Sequence, residues 1–333
     1  MSAKPARRLV TVAVAILFLA GATATAQAKT LLPGGQSIGV AVETEGLVVI
    51  GASDVGSMPS PARLAGLRPG DIITGVDGKA IAGVDELLTL LGERSVKLTY
   101  LRDGEARSVT LTPARDATDG RFKLGVWVRD STAGIGTLTF YDPETGRYGA
   151  LGHAVTDADA GIVLPVKGGA IYENSIIDVK RGEEGAPGEI LGEFYDGGYL
   201  GTIDGNTHFG IFGSAKERIE NALYPRGIET AAPDQVRVGR AKILATVGDD
   251  GLTEYECEIV RIEDQAKPTT RSFTIRVTDE RLLTRTGGIV QGMSGSPVIQ
   301  NGKLVGAVTH VYVNDPTMGY GVYIDWMLDD LAA

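Results

Sequence analysis

The chain has 333 residues, which is enough for two or three domains with separate cores. Hydrophobic residues make up 43% and charged residues 22%, a globular composition that excludes a disordered polymer or a coiled coil. The net charge of −10, from 32 basic and 42 acidic residues, argues against nucleic acid as a partner because phosphate binding needs a basic surface.

Glycine is unusually frequent and cysteine is almost absent. Forty-six glycines, about twice the usual share, predict many tight turns and a mainly β chain. The single cysteine, Cys257, has no partner for an intrachain disulfide, and the sequence has no C-x-x-C cluster for zinc. No cofactor and no metal are therefore expected.

Residues 1–28 have the pattern of a targeting segment. Basic residues precede an apolar run over residues 9–20, and small residues end at Ala26-Gln27-Ala28. This pattern predicts a secretory signal peptide, although a run extended to residue 26 would also serve as an uncleaved membrane anchor. In either case we expect the remaining chain to work outside the cytoplasm.

Residues 33–114 are predicted to form a small independent module. Alternating residues predict strands near 36–42 and 46–50, followed by a short helix, a helical stretch over 84–91 and a hairpin around Asp103-Gly104. The stretch from Ala62 to Ile72 has the form A-x-x-A-G-L-x-x-G-D-x-I and resembles bacterial PDZ domains. By that resemblance, Ser37, Ile38, Gly39 and Val40 form the loop that binds a peptide carboxylate. The alternative is that these residues bind no peptide and that Gly39 only allows the chain to turn.

Residues 115–125 are predicted to be a linker, and residues 126–333 a second, β-rich domain. Short strand-like runs separated by glycine turns favour a barrel or sandwich there. Its strongest motif, G-M-S-G-S-P, spans Gly292 to Pro297. A glycine-flanked serine before an apolar strand is typical of a nucleophile, with the amides of Gly292 and Ser294 as an oxyanion hole. The motif also occurs in ordinary turns.

A serine nucleophile needs a base, and the chain has three histidines. His153 follows a predicted strand and lies well before Ser294, as expected for a two-barrel serine protease. His310 and His208 are the other candidates for the base; otherwise His310 is predicted to line the cleft or cap a barrel, and His208 to lie in a surface turn. A metal site of His153 with Asp157 and Asp159 is a weaker interpretation.

The third member of a triad is a carboxylate, and spacing does not identify it. Five aspartates are candidates: Asp178, Asp196, Asp204, Asp249 and Asp279. Asp279 follows a predicted strand, where it either faces the space between two barrels or caps the helix predicted over 280–284. Both interpretations stay open at this point.

Nearly all of the chain after the first segment resembles the SpoIVB peptidase family, the stage IV sporulation protein B serine endopeptidases. The similarity is carried by Leu32–Val40, Arg129–Tyr141, Tyr148–His153, Phe209–Gly213, Thr286–Pro297 and Gly306–Val311. The resemblance implies a mainly β fold, a PDZ domain followed by a chymotrypsin-like double β-barrel serine protease domain. It also implies a triad of His153, Asp279 and Ser294.

The resemblance further implies a role in signalling. Family members are exported across the inner forespore membrane into the intermembrane space, where they cleave the ectodomain of a membrane protein that restrains an intramembrane metalloprotease. This cleavage leads to activation of a late sigma factor. The enzymes also process themselves near the N-terminus. The implied partners are a protein or peptide substrate and a PDZ ligand peptide, for which their own N-terminal region is one candidate. A non-catalytic PDZ adaptor with a pseudoprotease domain is the alternative, but Ser294, His153 and the flanking glycines are all present.

Overall fold

A computed structural model describes residues 28–263 and 267–332. The predicted targeting segment, residues 1–28, therefore lies outside the described residues except for Ala28. Within the described part, none of the helices has the length and apolar character that a membrane crossing requires.

The described residues form 25 strands and four α-helices, with short 3-10 turns at Asp196–Gly198 and Pro233–Gln235. In chain order the strands are β1 (Thr30–Pro33), β2 (Ser37–Ala52), β3 (Ile72–Val76), β4 (Lys79–Ala80), β5 (Val96–Arg102), β6 (Glu105–Leu111), β7 (Ala114–Arg115), β8 (Phe122–Lys123), β9 (Val126–Tyr141), β10 (Arg147–Ala150), β11 (Thr156–Asp157), β12 (Ile162–Val163), β13 (Val166–Glu173), β14 (Ser175–Lys180), β15 (Glu189–Glu193), β16 (Tyr199–Thr202), β17 (Gly205–Thr207), β18 (Gly210–Ser214), β19 (Ile228–Glu229), β20 (Gly239–Thr246), β21 (Leu252–Ile262), β22 (Phe273–Val277), β23 (Pro297–Gln300), β24 (Lys303–Tyr312) and β25 (Asp315–Tyr323). The helices are α1 (Pro61–Leu64), α2 (Val84–Leu90), α3 (Glu280–Thr286) and α4 (Ile324–Ala332).

The C-terminal third of the chain forms a closed antiparallel barrel. Its strands follow the order β20-β21-β22-β25-β24-β23, and β23 pairs with β20 to close the ring. Inward-facing side chains such as Ile243, Ile259, Phe273 and Val308 are fully buried in its core. Apolar side chains alternate with polar ones along β21, which is the pattern of a strand with one buried face, whereas β23 and most of β24 are buried on both faces.

A first barrel precedes it and has the same strand order. The first half of β2 pairs with β9, β9 with β10, β10 with β18, β16 with β13, and β13 with β2. A bridge between Gly201 and Ala215 joins β16 to β18 and completes the ring. Ile38, Leu138 and Ile171 lie in its core. The prediction of a mainly β chain with a double barrel is thus confirmed.

The PDZ module is inserted within one strand pair of the first barrel. Strands β2 and β9 are both 16 residues long, and their pairing shifts register between Glu43 and Val48. Before this shift the two strands belong to the barrel, and after it the same sheet continues through β3, β5 and β6 into the PDZ module. Leu47, Leu98 and Leu124 are buried between this sheet and the two helices α1 and α2.

This insertion corrects the predicted domain boundaries. Residues 33–43 belong to the first barrel rather than to the PDZ module, because Ile38, Val40 and Val42 are buried in the barrel core. The predicted linker, residues 115–125, is part of the PDZ module as well. It contains the small hairpin of β7 and β8, and Leu124 is buried in the PDZ core.

Candidate active site

The loop that carries Ser294 runs from the end of α3 to the start of β23, in the groove between the two barrels. Gly292 and Gly295 have φ angles of +97° and +98°, a region that favours glycine. A side chain at Gly295 would also collide with the backbone of Thr137 and Leu151. Both glycines around Ser294 are therefore required by the backbone.

Strand β9 of the first barrel holds this loop in place. The Thr137 N–H donates to Ser294 O at 2.9 Å, and the Thr137 hydroxyl donates to Gly292 O at 2.7 Å. The Thr139 hydroxyl donates to Gly295 O at 2.8 Å. These two threonines were not predicted from the sequence as site residues. Both contacts join residues more than 150 positions apart, so no local sequence pattern marks these threonines as site residues.

The amides of Gly292 and Ser294 are free to bind an anion. Gln291 O accepts the Ile190 N–H of β15 at 2.9 Å, and Met293 O accepts the Ser296 N–H at 2.9 Å. Across a trans peptide the C=O and the following N–H point in opposite directions. The N–H groups of Gly292 and Ser294 therefore point away from these partners, and neither donates to an acceptor among the described residues. An oxyanion-hole role for them stays a prediction.

His153 lies just after β10, where the chain turns sharply. Leu151 and Gly152 have φ angles of +71° and +69°, and a positive φ at a leucine is the kind of local strain often found at active sites. His153 Nδ1 lies 2.8 Å from Ala154 O. Since a carbonyl oxygen only accepts, Nδ1 carries the proton and Nε2 keeps its lone pair. Burial lowers the pKa of His153 below its ordinary value.

His153 and Ser294 line the same cleft, which has a volume of about 290 Å³. The Ser294 hydroxyl donates to Thr309 O at 3.0 Å. Attack on a carbonyl requires that proton to pass to His153, so the Ser294 side chain has to rotate from this position. The imidazole of His310 packs beside His153, with ring centroids 5.2 Å apart, and burial lowers the pKa of His310 to about 4. His208 is exposed in a turn.

The structure does not bring Asp279 to His153, which corrects the predicted triad. Asp279 is the N-cap of α3, where its carboxylate accepts the Arg281 N–H at 2.9 Å and the Glu256 N–H at 3.1 Å. It also binds the Arg281 guanidinium at 2.8 Å. The Arg281 hydrogen bond is the main cause that lowers the pKa of Asp279 to about 2. The capping interpretation, left open by the sequence, fits this geometry.

Among the described residues, the cleft that contains His153 is lined by no carboxylate. Asp157 and Asp159 bind the Arg129 guanidinium instead, at 2.6 and 3.3 Å. The described part of the chain holds no cluster of three metal-ligating side chains. The Ala154 carbonyl is therefore the group that fixes the tautomer of His153, a task that a carboxylate performs in the usual triad.

The four residues predicted to bind a peptide carboxylate lie elsewhere. Ser37, Ile38, Gly39 and Val40 are the first four residues of β2, paired with β9 on one side, and from Ile38 on also with β13 on the other. Their backbone groups form barrel ladders, so they are unable to receive an added strand. The PDZ groove instead lies between α2 and the start of β9. It has a volume of about 290 Å³ and apolar walls that include Leu88 and Val126.

Comparison with known families identifies the chain. The profile of the SpoIVB peptidase S55 family matches residues 120–328, well over half of the chain. The chain belongs to this family. A PDZ-domain profile matches residues 55–102. These two matches confirm the prediction of a SpoIVB-type serine peptidase with a PDZ domain.

Other proteins show weaker similarity to this S55 peptidase. The magnetosome formation protease MamE of Paramagnetospirillum magneticum is 45% identical over 56 residues, which is 16% of this chain and 8% of MamE. This chain thus matches less than a tenth of that relative. Solved structures share the fold only at low TM-scores. The alignment with the Rv3671c protease of M. tuberculosis (TM-score 0.34, 15% identity) covers 60% of this chain and 74% of the protease chain. The alignment with the HtrA-type protease AlgW with decapeptide (TM-score 0.36, 11% identity) covers 64% of this chain and 53% of the AlgW chain.

Proposed function

We propose that this S55 peptidase is an extracytoplasmic serine endopeptidase with Ser294 as nucleophile and His153 as general base. One observation carries the proposal. Ser294 and His153 line one cleft in which the N–H groups of Gly292 and Ser294 have no protein partner. A nucleophile, a neutral base and two free amides are the groups that acyl transfer requires.

The reaction follows from these positions. His153 Nε2 removes the Ser294 hydroxyl proton as Oγ attacks the peptide carbonyl, and the two amides bind the oxyanion. The protonated imidazole then gives its proton to the leaving amine, and the C–N bond breaks. In the second half, water gives a proton to His153 and its oxygen attacks the acyl carbon. Ser294 leaves with the returning proton.

The wider role that we propose is proteolytic signalling in sporulation. The substrate is the ectodomain of a membrane protein, and its cleavage leads to activation of a late sigma factor. The enzyme also cleaves itself near the N-terminus. Membership in the S55 family and the signal-like pattern of residues 1–28 support this role. A peptide ligand of the PDZ groove targets or restrains the protease.

The proposal is tested with the full-length chain in detergent beside its Ser294→Ala variant. We expect defined cleavage near the N-terminus of the parent alone, read by mass spectrometry. A fluorophosphonate probe is added to both samples. Labelling of the parent alone, with no cleavage, indicates a competent but restrained protease. If the parent remains both uncut and unlabelled, the non-catalytic adaptor is the better interpretation.

A further inference from the structure

Strand β9 has an unpaired edge that connects the PDZ groove with the catalytic cleft. On one side, residues 126–137 of β9 pair with β2. On the other side, β10 and β1 pair only with residues 138–141. Within the described part of the chain, no strand therefore pairs with residues 126–136 on this second side, and β15 lies across an open cleft from residues 133–135. The same residues line the PDZ groove at one end and the catalytic cleft at the other.

At the catalytic end, the free edge begins beside the nucleophile. Thr137 uses its outward N–H to bind Ser294 O, and its outward C=O accepts the Leu151 N–H at 3.2 Å. Backbone groups of an antiparallel strand alternate in direction, and no register shift occurs between residues 131 and 137. Ile135 and Ala133 therefore also present their N–H and C=O outward. An extended polypeptide is able to add there as a strand.

At the PDZ end, the edge begins at a site suited to a free carboxylate. Leu124 O accepts the Ala62 N–H at 3.0 Å, and Gly125 O accepts the Ser53 N–H at 3.0 Å. Across these trans peptides, the N–H groups of Gly125 and Val126 point the opposite way. Gly125 has a φ of +71°, so successive N–H groups converge there, as in backbone sites that capture peptide carboxylates. Beside them lies the groove of α2, whose walls are mainly apolar; the two carboxylates in its lining, Asp54 and Asp116, are ion-paired with Arg63 and Lys123.

These two ends fix the direction of a bound chain. If its C-terminal carboxylate lies at Gly125, the preceding residues run along β9 toward Ser294, antiparallel to β9. The residues between the cleaved bond and the C-terminus then occupy the leaving-group side of the cleft. With one bound residue for each residue of β9, the path from Gly125 to Gly136 takes up about ten to twelve residues, at about 3.3 Å each.

We propose that, among substrates other than its own chain, the enzyme selects polypeptides with a free, apolar C-terminus and cuts them about ten to twelve residues upstream of it. This inference rests on the proposed serine endopeptidase activity. It unites the two functional sites in one substrate-binding edge, and it makes the PDZ groove a determinant of where the bond is cut.

The test uses the full-length protein and a library of random 24-residue peptides, made once with free carboxylate and once with amidated C-termini. Mass spectrometry records the distance from each cut to the C-terminus. We expect cuts in the carboxylate library to concentrate about ten to twelve residues from the end. Amidation should lower the fraction of cuts at this distance about fivefold or more, because the N–H groups at Gly125 then lack an anion to bind.

Two variants provide the matched control. Leu88→Lys places a charge in the apolar groove and should abolish the preferred distance, whereas Leu64→Lys, at a leucine that is 74% exposed on α1, should keep it. Fluorophosphonate labelling shows that each variant retains its active site. Cuts at distances unrelated to the C-terminus, or labelling without cleavage of any peptide, overturn the inference. Absence of labelling in the parent contradicts the proposed endopeptidase itself.

Discussion

At the scale of the residue, Asp279 shows that one sequence position fits two different roles. A carboxylate just after a strand suits both a triad and a helix cap. The structure uses all its acceptor positions for Arg281 and the Glu256 N–H. A carboxylate occupied in this way, and held ionised, stabilises α3 but has no contact with His153 through which to affect the imidazole.

Replacing Asp279 should therefore affect stability more than catalysis. Asp279→Asn keeps a capping oxygen but loses the ion pair with Arg281, whereas Asp279→Ala loses both. We expect Asp279→Ala to lower the free energy of unfolding by about 1–2 kcal/mol, with a smaller loss for Asp279→Asn. Urea denaturation measures both values. The difference in unfolding free energy between parent and variant should shrink as the pH falls from 4 toward 2. The pKa of Asp279 is about 2 in the folded protein, so its carboxylate becomes protonated in this range and loses the stabilisation that depends on its charge.

The acid limb of the activity profile should report the state of His153. Burial lowers the pKa of His153, and no carboxylate of the cleft opposes this effect. The base then stays neutral as the pH falls, so kcat/KM should decline only below the ordinary histidine value of about 6.5. A limb centred above 7 would indicate an anion beside the imidazole and would contradict this description of the site.

At the scale of the element, β9 organises the site. It supplies the threonines that hold the Ser294 loop, the residues that border the cleft and the edge that continues into the PDZ module. Sequence motifs located Ser294 and His153 because their signals are local: glycines around a nucleophile, and a strand that ends in a glycine turn. The site contacts of β9 are long-range, so no local pattern revealed them.

Thr137→Val should impair catalysis more than substrate binding. It removes the hydroxyl that binds Gly292 O, and a buried carbonyl without a partner costs about 1–3 kcal/mol. When the loop moves so that the Gly292 carbonyl finds another partner, the Gly292 N–H is displaced from the oxyanion position. We expect kcat to fall about 10- to 100-fold with KM nearly unchanged.

Thr139→Val is the control for this prediction. It loses the equivalent bond to Gly295 O, on the far side of the nucleophile from the Gly292 amide. Steady-state kinetics of both variants on one peptide should show the larger loss of kcat for Thr137→Val. Equal losses would indicate a general loosening of the loop instead.

At the scale of the whole molecule, the main feature is the insertion of the PDZ module into a barrel strand pair. The sequence predicted both modules and their fold classes, because periodicity and turn residues act within short windows. It misplaced Ser37–Val40, since a strand that continues from the barrel into the PDZ module keeps the same alternation. Which of its residues pair with β13 depends on residues more than one hundred positions away.

The insertion also predicts that the protease folds without the PDZ module. Glu43 and Ser131 are paired neighbours in the barrel, so a two-residue turn suffices to join the strands there. We expect a chain in which Asn-Gly replaces residues 45–129 to stay folded and to react with a fluorophosphonate. Its cuts should no longer depend on distance from the C-terminus. Loss of the cooperative thermal transition would show that the barrels need the inserted module.

The central claim is that Ser294 and His153 form the catalytic unit without Asp279. The most direct measurement is the rate of fluorophosphonate labelling at Ser294 in the parent and in the His153→Ala and Asp279→Asn variants at pH 7.5. We predict a loss of about 10²- to 10⁴-fold for His153→Ala and a change within about twofold for Asp279→Asn. If Asp279→Asn reacts as slowly as His153→Ala while remaining folded, Asp279 belongs to the catalytic unit.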